Sequence, residues 1–276
     1  MTIYMCSPHF EGILCGVYDA WMSRRGHENV RLEIKGGYQE IELFSEYVEV
    51  EETQDKAGKV IIAVCKKLSQ QVYRQIYIAS LSEAPQRADK IYRFLVQAFH
   101  YGPSILDMLQ LPEVYEIFRI CRSVTNESHL LTEFIRFAQG PGNVLISRIG
   151  PKNDVLTLLS PHFADRLPEE NWMIYDENRQ KASVHPAGGH FLIVEHALDG
   201  EDLNGKTGEG SSEEDIWKNC LREGTDEEEY QQLWKAFFHA IAITERKNPL
   251  CQRTHLPFRF RPYMTEFQTP YNPDKL

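Results

Sequence analysis

The stretch that decides the fold is Trp172–Glu195, WMIYDENRQKASVHPAGGHFLIVE. It contains three short runs rich in β-branched and aromatic residues, which are Trp172–Asp176, Lys181–His185 and His190–Glu195. Glu177–Arg179 and Pro186–Gly189 stand between these runs and favour turns. The pattern predicts three strands in an antiparallel meander.

Further elements lie on both sides of the meander. Asn143–Ile149 (NVLISRI) is rich in branched residues and predicts another strand, and Asp154–Phe163 has the apolar spacing of a helix. After the meander, residues 226–243 predict a last helix. Its apolar stripe consists of Tyr230, Leu233, Trp234, Phe237, Phe238 and Ile241. The C-terminal half is therefore expected to be a small sheet flanked by helices.

The N-terminal half has mainly helical periodicity. Residues 8–23 predict an amphipathic helix, and residues 56–138 read as almost entirely helical with a break at Gly102-Pro103. A short strand is expected only near Leu43–Val50. The predicted class is α+β, with an α-helical N-terminal half packed with a small antiparallel sheet that helices flank in the C-terminal half.

The same patterns give the expected organisation of the chain. A mainly helical region covers residues 1–140 and an α+β region covers 141–266, and whether these are separate domains is left open. Residues 267–276 are expected to be disordered.

Composition limits the classes of protein. No apolar run approaches the length of a membrane span, and no basic stretch followed by an apolar one marks a signal peptide, so we expect a cytoplasmic protein without a membrane partner. The six cysteines are scattered and none forms a C-x-x-C pair. Zinc sites and iron–sulfur clusters need clustered thiolates, so no metal or cofactor is predicted in this chain.

The negative charge is concentrated in one segment. The net charge is −10, and the range Asp199–Glu229 holds twelve acidic and three basic residues, a local net of −9. This acidic loop contains GEDLNGKT at Gly200–Thr207, which matches the phosphate-binding pattern G-x-x-x-x-G-K-T. Its carboxylates would repel a triphosphate, and the glycines and serines that follow are poor helix formers. We interpret the match as an exposed acidic linker.

The tail that follows, residues 244–266, is basic and aromatic. Its five cations face two acids, a net of +3. Cations that hold phosphates and rings that stack on bases suit single-stranded or flipped-out nucleic acid. The candidate DNA-binding residues are Arg246, Lys247, Arg253, Arg259, Arg261 and Phe260. The alternative is an extended arm whose rings pack on the body and whose arginines pair with the acidic loop.

A second candidate site combines Asp154, His162, Arg166 and Asp176. His162 and Arg166 are four residues apart and would share a helix face, with Asp154 capping the helix start and Asp176 ending a neighbouring strand. A histidine flanked by carboxylates can act as a general base, and an arginine can bind phosphate. The alternative is a capping aspartate with an Arg166–Asp176 ion pair.

Several stretches together resemble a known family. They are Ile149–Leu156 (IGPKNDVL), Pro161–Arg166, Trp172–Asp176, Leu233–Phe238 (LWKAFF), Glu245–Pro249, Leu256–Phe260, Met264–Glu266 and, near the start, Phe10–Trp21 (FEGILCGVYDAW). The chain resembles, from about Ile3 to Glu266, a bacterial family with a domain of unknown function that is linked to DNA metabolism and DNA repair. It departs from the family at Leu256–Arg261, LPFRFR, where the family pattern is Met-Pro-x-Arg-Tyr-Trp.

The resemblance implies a process, DNA repair or modification, rather than one reaction. Members are typically encoded beside a radical-SAM protein, and some are fused to a uracil-DNA-glycosylase-like domain. An iron–sulfur cluster and S-adenosylmethionine are then expected only in that partner. The resemblance favours a DNA-binding accessory protein. A nuclease or base-processing hydrolase using His162, or a protein-interaction scaffold without DNA contact, are the alternatives.

Overall fold

The computed structural model of the chain describes residues 1–36, 42–195, 225–241, 243, 246 and 248–267. The fold is α+β, as predicted. It consists of two compact units, the first formed by Met1–Glu127 with Lys152–Asp154, and the second by Ser128–Pro151 with Val155–Leu276. The division falls at Glu127, inside a helix, whereas the change of sequence pattern comes at residue 140.

The first unit contains a parallel sheet that the sequence did not indicate. Its strands are β1 (Thr2–Cys6), β2 (Val30–Ile34) and β3 (Glu46–Glu49), in the order β2-β1-β3 with both pairings parallel. Only β3 was predicted. Because every residue of β1 is buried, the strand lacks the alternation of a half-exposed strand. The predicted N-terminal helix is confirmed as α1 (Phe10–Met22), which connects β1 to β2.

The remaining elements of the first unit are the predicted helices, α2 (Gln54–Lys67), α3 (Gln70–Ser80), α4 (Arg87–Tyr101) and α5 (Pro112–Phe134), whose last residues belong to the second unit. The Thr53 hydroxyl caps α2 by accepting from the Lys56 backbone N–H. Gly102 ends α4 with a φ of 83°, a conformation that glycine adopts without strain. The predicted break at Gly102-Pro103 is therefore confirmed.

The second unit is built on a five-stranded sheet. Its strands are β4 (Ala138–Gly140), β5 (Val144–Ile149), β6 (Trp172–Asp176), β7 (Lys181–His185) and β8 (Leu192–Glu195), in that order. The antiparallel meander β6-β7-β8 is confirmed. The β5–β6 pair is parallel, because α6 (Leu156–Arg166) returns the chain to the starting end of the sheet.

The last described part of the second unit is helical. It comprises α7 (Thr225–Ala240), α8 (Pro249–His255) and the 3₁₀ turns Phe258–Tyr263 and Thr265–Phe267. The alternative of an extended arm is therefore wrong for the backbone of 249–255 and 258–263, although a ring of this segment, Phe260, does pack on the body. Asn248 caps α8 by accepting from the Cys251 backbone N–H, and Pro249 suits the first turn.

Some predicted features lie outside the described residues. They are most of the acidic loop with Gly200–Thr207, and residues 268–276 of the segment expected to be disordered. Within the described ranges, no helix is both long and apolar enough to cross a membrane.

Candidate nucleic-acid interface

The predicted apolar stripe of α7 is largely exposed. Tyr230, Leu233 and Phe237 each have half or more of their surface accessible, and Trp234 is 41% exposed. Phe238 instead faces the 3₁₀ turn Thr265–Phe267, where its ring meets that of Phe267 edge to face at 5.9 Å. The helix therefore presents aromatic rings on its surface while its other side is anchored.

A buried carboxylate fixes α7 to the end of the chain. Glu266, whose side chain is 3% exposed, accepts from Arg136 Nη2 at 2.8 Å and from Trp234 Nε1 at 3.2 Å. Burial alone would raise the pKa of the Glu266 carboxyl, but these hydrogen bonds hold the pKa below its ordinary value of 4.5. Arg136 also donates to the backbone carbonyl oxygens of Glu133 and Ile135. The position of Trp234 is set by this network.

An open cleft of about 780 Å³ lies beside this network. Four aromatic residues, Phe137, Tyr230, Trp234 and Phe237, are among its lining, and its charged groups are Arg136 and Glu227. Phe137 is held edge to face against the Phe163 ring, at 5.3 Å between centroids. The cleft thus offers ring faces whose positions are fixed by neighbouring side chains.

The 3₁₀ turn Phe258–Tyr263 alternates rings and guanidinium groups. Arg261 lies over the Phe258 ring at 4.4 Å and over the Phe267 ring at 5.0 Å. Arg259 lies over the Phe260 ring at 4.7 Å. Cation–π contacts of this kind restrict the positions of the two arginine side chains, and guanidinium groups and exposed rings are groups on which a base can stack.

The predicted DNA-binding residues divide by exposure. Arg246, Arg253 and Arg259 are exposed, Arg261 is half-buried, and Lys247 lies outside the described residues.

Phe260, the predicted stacking residue, is only 2% exposed. Its ring packs at 5.8 Å from that of Phe134, so it belongs to the core. The neighbouring Phe258 is 60% exposed and is the phenylalanine of this turn that can meet a base.

A second anchor holds the same turn against the sheet. The Tyr263 hydroxyl donates to the Glu177 carboxylate, and Arg148 contacts that carboxylate at 3.4 Å. Burial, together with the hydrogen bond to Glu177, raises the pKa of Tyr263 well above its usual range. A Cβ at Gly150 would collide with the Tyr263 hydroxyl, so glycine is needed at this point of the IGPKND stretch.

The second predicted site is dispersed. His162 and Arg166 both lie on α6, as predicted, and both are exposed. Asp176 is fully buried, and it accepts from Arg179 Nη1 at 3.1 Å and from the Asn178 backbone N–H at 3.0 Å. The ion pair that the sequence suggested for Arg166 is formed by Arg179. Arg179 can reach the Asp176 carboxylate because it lies only three residues further along the chain, in the turn that follows β6.

The N-cap position of α6, which begins at Leu156, is occupied by Val155 and not by Asp154. Asp154 belongs instead to the first unit, where its backbone N–H donates to the Leu81 carbonyl oxygen. The rest of the stretch is held by Glu127, a buried carboxylate on α5. It accepts from the backbone N–H groups of Lys152 and Asn153 at 3.0 and 2.8 Å. This contact explains the PKND sequence as a structural element of the first unit.

The described cysteines form no disulfide with one another. Cys6, Cys15 and Cys121 are buried, and burial raises the pKa of the Cys6 and Cys121 thiols to about 12. Among the described residues, no group of three or more histidine, cysteine or acidic side chains could hold a metal ion.

The groups that sequence reasoning missed are Arg136, Glu266 and Phe137. Glu266 was counted only as one of two acids in the basic tail, and Arg136 and Phe137 belonged to a stretch expected to be an ordinary helix. No local signal marks them, because each acts through contacts with residues far away in the sequence.

Comparison with known proteins identifies a family. A model of DUF4130, a domain of unknown function, matches residues 85–266, which is more than half of the chain. The chain therefore belongs to the DUF4130 family. No curated protein and no solved structure matches it.

Proposed function

We propose that this DUF4130 member binds DNA with unpaired bases through the surface formed by α7, α8 and the turn Phe258–Tyr263. The observation that carries the proposal is the exposed Phe258 ring, which Arg261 contacts at 4.4 Å, on a segment whose Arg253 and Arg259 are also exposed. Rings that stack on bases and cations that hold the backbone are the two groups that single-stranded nucleic acid requires.

The aromatic cleft supports the same class of ligand. Its exposed rings, Tyr230, Trp234 and Phe237, lie on α7, which is joined to the end of the basic tail by the Glu266 and Phe267 contacts. Base stacking on such rings tolerates any sequence because every base has a π face. The ligand is therefore DNA with accessible bases rather than a duplex read through its grooves.

The acidic first turn of α7 favours one placement of the DNA backbone on this surface. Acidic side chains such as Glu227 suit the N-terminus of a helix, but they repel phosphates. The DNA backbone is therefore expected at Arg246, Arg253 and Arg259, with bases turned toward Phe258.

The wider role follows from the resemblance. We propose that the protein is an accessory factor in DNA repair or modification and acts with a radical-SAM protein that supplies the iron–sulfur cluster and S-adenosylmethionine. Copurification of the two proteins, expressed together and captured through a tag on either one, tests this part. Failure to copurify in the presence of DNA would contradict the proposed partnership. It would not bear on DNA binding, which a separate experiment tests.

DNA binding is tested by fluorescence anisotropy of a labelled single-stranded oligonucleotide. Replacing Arg246, Arg253 and Arg259 by alanine should weaken binding by roughly tenfold at low salt. The matched control replaces Lys66, Arg74 and Arg122, three exposed cations of the first unit, by alanine. Equal weakening by both triple variants would show a general charge effect and contradict the proposed surface.

A further inference from the structure

The first unit contains a preformed groove that the DNA-binding surface does not use. It has a volume of about 430 Å³ and lies among α1, α2 and the end of α4. Most of its lining precedes residue 85, where the match to the DUF4130 family begins. The size lies at the lower end of the range for small-molecule sites, which is roughly 300–1,000 Å³.

The groove has a fixed aromatic wall. Tyr18, Trp21 and Phe99 line it, and Trp21 meets the Phe99 ring edge to face at 5.3 Å. Trp21 also contacts the rings of His27 and Tyr92, at 4.7 and 6.3 Å between centroids. These three aromatic contacts restrict the Trp21 indole before any ligand binds.

The charged groups of the lining are both cations. They are Lys59 and Lys67, eight residues apart on α2, and none of the described residues that line the groove is acidic. Lys59 is paired with Asp55 at 2.5 Å and lies over the Tyr18 ring. Lys67 is exposed and forms no ion pair with any residue that the structure describes. Lys67 is therefore the cation that an anionic ligand can reach.

We infer that this groove binds a small aromatic acid, a planar ring system that carries one carboxylate or sulfonate. The rings would lie against Trp21 and Phe99, and the anionic group would pair with Lys67. The aromatic wall favours an aromatic ligand, and the exposed Lys67 ammonium group favours an anion. The groove belongs to the first unit, whereas the proposed DNA-binding residues belong to the second.

Two probes with one ring skeleton test this inference. 1-Anilinonaphthalene-8-sulfonate carries the anionic group, whereas N-phenyl-1-naphthylamine lacks it, and both fluoresce when they leave water. The full chain should bind the sulfonate saturably. Lys67→Gln should weaken the sulfonate roughly threefold to fivefold and leave the uncharged amine unchanged. Lys66→Gln, the same change at the adjacent exposed lysine outside the lining, should leave both probes unchanged.

A second variant locates the probes. Ala63 lines the groove, so Ala63→Phe should fill it and abolish the saturable binding of both probes. Near-ultraviolet circular dichroism checks that Ala63→Phe is folded. If Ala63→Phe is not folded, the comparison of Lys67→Gln with Lys66→Gln, two surface changes, still tests the inference. The inference is overturned if sulfonate binding is not saturable, if it survives in folded Ala63→Phe, or if Lys66→Gln and Lys67→Gln weaken it equally.

Discussion

Arg136 donates a hydrogen bond to Glu266 at 2.8 Å, and this contact joins the end of the basic tail to the segment that follows α5. The same carboxylate accepts from Trp234, so one buried acid positions both the helix α7 and an aromatic wall of the cleft. The proposed DNA surface therefore depends on an ion pair that does not itself need to touch DNA.

Removing the acid should destabilise the second unit. In Glu266→Ala, Arg136 and Trp234 lose their shared acceptor, and we expect a loss of about 3 kcal/mol in the free energy of unfolding. Urea unfolding of the full chain measures it. Glu229→Ala, an exposed acid on α7, is the control and should change stability by less than about 0.5 kcal/mol. Similar losses in the two variants would contradict the role of Glu266.

The same carboxylate predicts a dependence on pH. The folded-state pKa of Glu266 lies below its ordinary value of 4.5, so its contribution is complete above pH 4.5 and is lost as the pH falls through the folded-state value. Stability measured by urea unfolding should therefore decline below pH 4.5. In Glu266→Gln this decline in stability should be smaller. An identical decline below pH 4.5 in both proteins would contradict the role given to the Glu266 carboxylate.

Gly150 and Tyr263 should be coupled. Gly150→Ala places a methyl group against the Tyr263 hydroxyl and should destabilise the second unit by about 1–3 kcal/mol. In a Tyr263→Phe background the hydroxyl is absent, so Gly150→Ala should lower the free energy of unfolding by a smaller amount. A double-mutant cycle of unfolding free energies measures the difference. Additive effects would show that the two residues do not meet as described.

The two phenylalanines of one turn should behave in opposite ways. Phe260→Ala removes a buried ring and should lower the free energy of unfolding by about 3–5 kcal/mol. Phe258→Ala removes an exposed ring and should leave stability nearly unchanged, while it weakens binding of single-stranded DNA by about 1–3 kcal/mol. Thermal unfolding and anisotropy together distinguish the two effects. Full DNA affinity in Phe258→Ala would exclude it as a stacking residue.

The sequence predicted those parts of the fold whose periodicity is local. The meander and the helices of residues 56–138 were found because apolar residues repeat along each element. The strand β1 was missed because burial on both faces removes alternation. The strand β2 does alternate, with Arg31 and Glu33 between buried residues, so its pattern could have been recognised.

The candidate site was only partly predictable. The basic, aromatic character of the tail follows from composition, but composition cannot say which of Phe258 and Phe260 is buried. That choice depends on Phe134, which is distant in the sequence. The sequence likewise offered Arg166 as a possible ion-pair partner of Asp176, whereas the structure shows Arg179 in that role, three residues along the chain.

The salt dependence of DNA binding tests the proposed surface most directly. For single strands, each phosphate contact contributes about 0.7 to the slope of the logarithm of affinity against the logarithm of salt concentration. Anisotropy titrations of a single-stranded oligonucleotide at several salt concentrations should give a slope that is smaller by about 2 when Arg246, Arg253 and Arg259 are replaced by alanine. An unchanged slope in a folded triple variant would contradict DNA binding at this surface.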